Sequence, residues 1–186
     1  MRFALLSTLL LLIGSAASAV ELTVVTERGY VRFTVPDEWK LLKTQTKPPV
    51  SSLVFQVENP ADAGTPHSTN VAVSLMNTNT EAGKSAASRI GRQHGPVAPK
   101  VVTEEGWTVY SQNATQNGAQ YAIVDATRNV ADVVVFIRFA WPELSGNAPN
   151  YSASLLATMQ SMQASMSGGM GVPPERPGEV IRRPQQ

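Results

Sequence analysis

"DVVVFIRFAW", residues 132–141, is apolar on both of its alternating faces, with Val133, Val135, Ile137 and Phe139 on one side and Val134 and Phe136 on the other. A strand of that kind is normally central in its sheet, because something must cover each face. Its neighbours are legible upstream. "WTVYSQNA" and "AQYAIVDATR" flank Gln116-Asn117-Gly118, and Asn-Gly between two strand patterns is the strongest short hairpin signal. The short turn Arg128–Ala131 then joins the second of these strands to the central one. Asp125 interrupts an otherwise buried strand face, and the turn places it opposite Arg138 as a cross-strand ion pair. A structural role for Asp125 is preferred to a catalytic one, since no second acid or base stands beside it in sequence.

Three earlier segments alternate with period two. "YVRFTVPDEWK", residues 30–40, puts Val31, Phe33 and Val35 on one face and ends at Pro36, which fixes φ and donates to no ladder. "SSLVFQVEN" aligns Leu53, Phe55 and Val57, and "NVAVSLMN" aligns Val71, Val73 and Leu75. "ELTVVTERG" pairs with the first strand through a turn at Glu27-Arg28-Gly29. "NPADAGTPHSTN" between the second and third is a Pro/Gly/Asx loop.

Two segments carry helical spacing. In "TNTEAGKSAASRIGRQHG", Thr78 and Glu81 have capping-box spacing, and Ala82, Ala86, Ala87 and Ile90 share a face of small residues that lies close on its support. Gly83 and Gly91 weaken that helix, and Gly95-Pro96 stops it. In "SGNAPNYSASLLATMQSMQASM", Asn147 and Pro149 suit a helix start and Gly168-Gly169 its end. Tyr151, Leu155, Leu156, Met159, Met162 and Met166 form its stripe, read as packing on the sheet rather than as an adaptable methionine face. The order of elements predicts an α+β domain, an antiparallel β-sheet flanked by helices on its faces.

The ends set the compartment. Arg2, the apolar run Phe3–Ile13 and Ala17-Ser18-Ala19 have the form of a secretory signal peptide, residues 1–19, and the run is about half of the ~20 residues a membrane span needs. The mature chain then begins at Val20 as residues 20–167 plus a Pro/Gly-rich segment, 168–186, expected to be disordered. With Arg2 gone, fourteen Lys and Arg face fourteen Asp and Glu, which leaves no nucleic-acid footprint. No Cys is present, so there is no disulfide framework, thiol nucleophile, thiolate metal site or lipid-anchor cysteine. A bacterial periplasm fits best, with full secretion as the alternative.

From "FTVPDEW" through "LVFQVENP", "NVAVSLM", a helix, the hairpin, "VVVFIRFAW" and the closing "MQSMQASM", the chain resembles the PsbP/Mog-like superfamily. The small exported bacterial members of the DcrB-like type are the relevant branch. The resemblance covers about Gly29–Met166 and rests on element order and the strand-Pro-x-x-Trp entry. It implies an α-β-α sandwich and a binding or assembly role without catalysis. The contact residues of the photosystem and Ran roles have no counterparts here, so neither role is carried over.

Chemistry is thinly supplied. His67 and His94 are the imidazoles; His67 sits in the 59–70 loop with Asp62 and Ser68 near it, which suggests a small hydrolase. No H-E-x-x-H spacing or G-x-S-x-G elbow accompanies them, and a solvated loop histidine and a helix-end histidine are the preferred readings. Adjacent acids at Asp37-Glu38 and Glu104-Glu105 point apart and stay solvated. "GGMG" follows no strand and is no phosphate loop. Neither a cofactor nor a metal is expected. Trp39 and Trp141, each beside a strand-ending Pro, are candidate platforms, although burial over the sheet ends is preferred for both. The expected function is a non-catalytic periplasmic binding or accessory protein with an envelope or exported protein as partner, in envelope assembly, uptake or toxin immunity. Its candidate contacts are Trp39, Asp37, Asp62, His67 and Trp141, around the 59–70 loop and the Trp39 corner. Carriage of a small ligand would need a pocket of about 300 Å³ or more, which the close-packing alanine helix disfavours.

Overall fold

The computed structural model describes residues 18–27, 29–47, 49–58, 68–93, 100–143, 148–173 and 180–182. The strands are β1 (Ala19–Val25), β2 (Gly29–Pro36), β3 (Lys40–Lys47), β4 (Val50–Val57), β5 (Thr69–Asn77), β6 (Lys100–Val102), β7 (Thr108–Gln116), β8 (Ala119–Val130), β9 (Val133–Pro142), β10 (Ser167–Met170) and β11 (Val180–Arg182). Helix α1 (Glu81–Gln93) follows β5, and α2 (Ala148–Ser165) follows β9.

The strands form two sheets where one was expected. A seven-stranded antiparallel sheet runs β3-β4-β5-β9-β8-β7-β6, with β9 fourth across it. The doubly apolar segment is therefore central. Residues Asn117 and Gly118 both have positive φ, 50° and 79°, as the two-residue hairpin turn between β7 and β8 requires. The smaller sheet runs β10-β2-β1-β11, antiparallel except for the parallel pair β1–β11. Sequence periodicity finds strands but not which strands pair, and that is why β1 and β2 read as members of one common sheet.

Packing divides the large sheet's faces. Val71, Val73, Leu75, Val135, Ile137 and Phe139 join Val31, Phe33 and Val35 of the small sheet and Leu155, Met159, Met162 and Met166 of α2 in the main core. Each such buried side chain contributes about 1.5–3 kcal/mol. The methionine stripe is thus core, whereas Leu156, expected on it, is partly exposed at 39%. On the opposite face Met76 and Phe136 pack with Ala86, Ala87 and Ile90 of α1.

Three local expectations change. The cap of α1 is Thr80, whose Oγ1 accepts from the Gly83 N–H at 3.0 Å; Thr78 instead donates its N–H and hydroxyl to the Asp132 carbonyl, each at 3.0 Å. Helix α2 ends before the glycines, where the Ser165 hydroxyl donates to the Met162 carbonyl at 2.8 Å and accepts from the Thr34 N–H at 2.9 Å. The segment from residue 168, expected to be disordered, supplies pairing to both edges of the β1–β2 hairpin: Gly168, Gly169 and Met170 oppose Val31, Tyr30 and Gly29, and Val180–Arg182 oppose Leu22–Val24. Residues 174–179 and 183–186 lie outside the described residues. Glycine allows the first pairing, because a Cβ at Gly168 would meet the Tyr30 carbonyl oxygen at 2.6 Å and Val130 Cγ1 at 2.7 Å.

Candidate functional site

The residues nominated from the sequence do not assemble into one described site. Asp62, His67 and His94 lie outside the described residues. Asp37 is exposed on the turn after β2, its N–H donating to the Ser18 carbonyl at 3.1 Å. Trp39 folds back and is buried, its ring 5.8 Å from Phe55 and 5.7 Å from Phe139. Trp141 is also buried, and its Nε1–H donates to the Ser152 hydroxyl at 3.0 Å. Both indoles are therefore core groups, Trp141 tying β9 to α2, and neither offers its face as a platform. Ser68 Oγ accepts from Asn70 Nδ2 at 3.0 Å. Among the described residues, no group of three or more His, Cys, Asp or Glu converges as metal ligands would.

The α1 face of the large sheet has a different character. Strand register sorts its outward residues into rows that cross the sheet. The row under α1 contains Val50, Met76 and Val134. Next comes a row with Ser52, Ser74, Phe136, Thr127 and Thr108. The third runs Lys43, Val54, Ala72, Arg138, Asp125, Tyr110 and Lys100 across all seven strands. The fourth runs Lys40, Gln56, Asn70, Ala140, Ile123 and Gln112. Among the described residues, the buried contacts of α1 reach only the first two rows. Val54, Ala72, Ala140, Ile123, Tyr110 and Gln112 are each half-buried.

At the centre of this face, the Arg138 guanidinium lies over the Phe136 ring at 5.4 Å and donates two hydrogen bonds of 2.7 Å to Asp125. Asp125 is 1% exposed and the Arg138 side chain 32%. The carboxylate's hydrogen bond and charge raise the guanidinium pKa further above its ordinary value, against burial, which lowers it. At the margins, Lys40 and Lys43 on edge strand β3 and Lys100 on edge strand β6 are exposed, and none has an ion-pair partner among the described residues. Seven strands at ~4.8 Å put Lys43 and Lys100 about 29 Å apart. A surface of this kind can hold a partner by side-chain hydrogen bonds and charge. Sequence reading missed it for two reasons. The β3 stretch "KLLKTQTK" has a register shift between Leu41 and Lys43 that breaks its alternation, and the outward set of seven strands converges only after they pair.

No family model matches the chain, and no curated protein does. A solved structure described as LpqN, involved in cell envelope biogenesis of Mycobacterium tuberculosis, aligns with 81% of this chain and 91% of its own at 13% identity, with a TM-score of 0.43. Among the described residues, no helix is long and apolar enough to cross a membrane.

Proposed function

We propose that this is a non-catalytic binding or accessory protein of the bacterial envelope that acts through protein–protein contacts. The observation that carries the proposal is the half-covered face of the seven-stranded sheet, where amides, hydroxyls and small apolar groups lie between exposed lysines. Binding surfaces need that mixture, and catalysis needs a base within hydrogen-bond reach of a nucleophile, which no described cluster supplies. The PsbP/Mog-like resemblance of residues 29–166 agrees with such a role. Export also suits the fold. Cleavage after Ala19 leaves the β1–β2 register from Val20↔Val35 to Val25↔Tyr30 intact, so the mature chain keeps its first hairpin.

The test is affinity capture from periplasmic extract with the mature chain, residues 20–186. One stoichiometric protein partner is the expected result. No partner, together with an esterase or amidase activity that His67→Ala abolishes, would replace this reading with a small hydrolase.

A further inference from the structure

We infer that the rows of the large sheet beyond the described reach of α1 are a docking surface for an acidic protein segment, held at its rims by Lys40, Lys43 and Lys100. This deepens the binding role proposed above and rests on it. The charge balance is the first argument. The chain has a formal net charge of only +1, yet the third and fourth rows carry four cations against one carboxylate, and Asp125 is already committed to Arg138. Three exposed lysines therefore have no ion-pair partner among the described residues, at opposite margins of one face.

Lysines on an edge strand also discourage strand-to-strand aggregation, and Lys43 has that use. Edge protection does not account for the interior of the face. Val54, Ala72, Ala140 and Ile123 are apolar groups around the central Arg138–Asp125 pair, and Gln56, Asn70 and Gln112 share the fourth row with the last two of them. Apolar and amide groups around a neutralised ion pair, within a rim of charge, are a mixture that protein–protein interfaces use. An acidic glycan is held by cations alone, whereas the apolar and amide groups between these lysines give a polypeptide further contacts.

Size sets the class of contact. These two rows, at about 7 Å of strand each, span roughly 14 Å along the strands and about 29 Å across, well short of the ~800 Å² that each partner buries in a standard interface. The complex is consequently a transient one. The rim charges govern capture rate and salt dependence more than residence time.

The experiment uses the mature chain with poly-L-glutamate as the acidic probe, and compares wild type with K40Q/K43Q/K100Q. K84Q/R89Q, which removes two exposed cations from α1, is the control. Unchanged thermal midpoints confirm that the variants fold. Wild type should bind at about 0.01 M salt and release the probe toward about 0.15 M, as the screening length falls from about 30 Å to about 8 Å. The triple variant should bind about tenfold more weakly and the control within about twofold of wild type. Equal losses in both variants, or no binding at low salt, would overturn the inference. Dextran sulfate binding more tightly than the polypeptide with the same lysine dependence would also overturn it and assign the face to an acidic glycan. Capture from extract separates this failure from failure of the broader role. A partner held equally by wild type and the triple variant leaves the binding role standing and removes this face from it. Lysine-dependent probe binding with no protein partner in any extract retains the face and removes the role.

Discussion

Asp125 and Arg138 face each other across β8 and β9 and join through two parallel hydrogen bonds of 2.7 Å, Nε–H to Oδ1 and Nη2–H to Oδ2. The carboxylate is buried and the guanidinium keeps one side toward solvent. The two partners are therefore not equivalent. R138M leaves a buried charge without its guanidinium and should cost about 3–5 kcal/mol, whereas D125N, whose arginine can turn outward, should cost less. The double variant should lose less than the sum of the two. Urea unfolding of all four proteins measures this, and strict additivity would mean that the pair contributes nothing as a pair.

Trp39 is held between Phe55 and Phe139. Trp39→Ala should lower stability by about 3–5 kcal/mol, and Trp39→Phe by considerably less. Partner capture should survive the Phe variant. A Trp39→Phe protein of full stability that no longer retains its partner would return this indole to the binding surface.

Gly83 lies in the first turn of α1, where glycine normally weakens a helix by about 0.5–1 kcal/mol relative to alanine. Here a Cβ would run into the Asn77 carbonyl oxygen at the end of β5. Gly83→Ala should therefore destabilise, by about 1–3 kcal/mol as for other overpacked sites. A rise in the chemical-denaturation midpoint would show that α1 can lift from β5 without penalty.

Removing residues 168–186 takes away β11 and all of β10 but Ser167, which pair with the outer edges of β1 and β2. The thermal midpoint should fall by at least about 4 °C, the equivalent of roughly 1–2 kcal/mol in a domain of this size, and the bared edges should promote self-association. Scanning calorimetry with light scattering reads both. An unchanged midpoint would reduce β10 and β11 to ornaments on an independently stable hairpin.

The Glu81 carboxylate accepts from Lys84 Nζ at 2.7 Å, and that hydrogen bond and the ammonium charge lower its pKa below the ordinary glutamate value. A lowered folded-state pKa gives stability that is complete above the unfolded value and is lost as pH falls through the folded one. The group is fully exposed, so the effect on α1 should be small and salt-sensitive. A carboxyl NMR titration should find Glu81 low in wild type and back at the ordinary value in Lys84→Gln.

Local periodicity carried most of the secondary structure. Alternation located β2, β4, β5 and β9, the Asn117-Gly118 pair marked the β7–β8 turn, and the short link before Val133 was enough to predict the Asp125–Arg138 pair, because hairpin register follows from chain length alone. Composition alone excluded thiol chemistry. Partition into two sheets was not legible, since strand patterns do not state their partners. Nor were β10 and β11, which have no hydrophobic alternation and exist only because β1 and β2 present open edges. The docking face is the clearest case: Lys43, Arg138 and Lys100 are far apart in sequence, and only the pairing of seven strands brings them into one row.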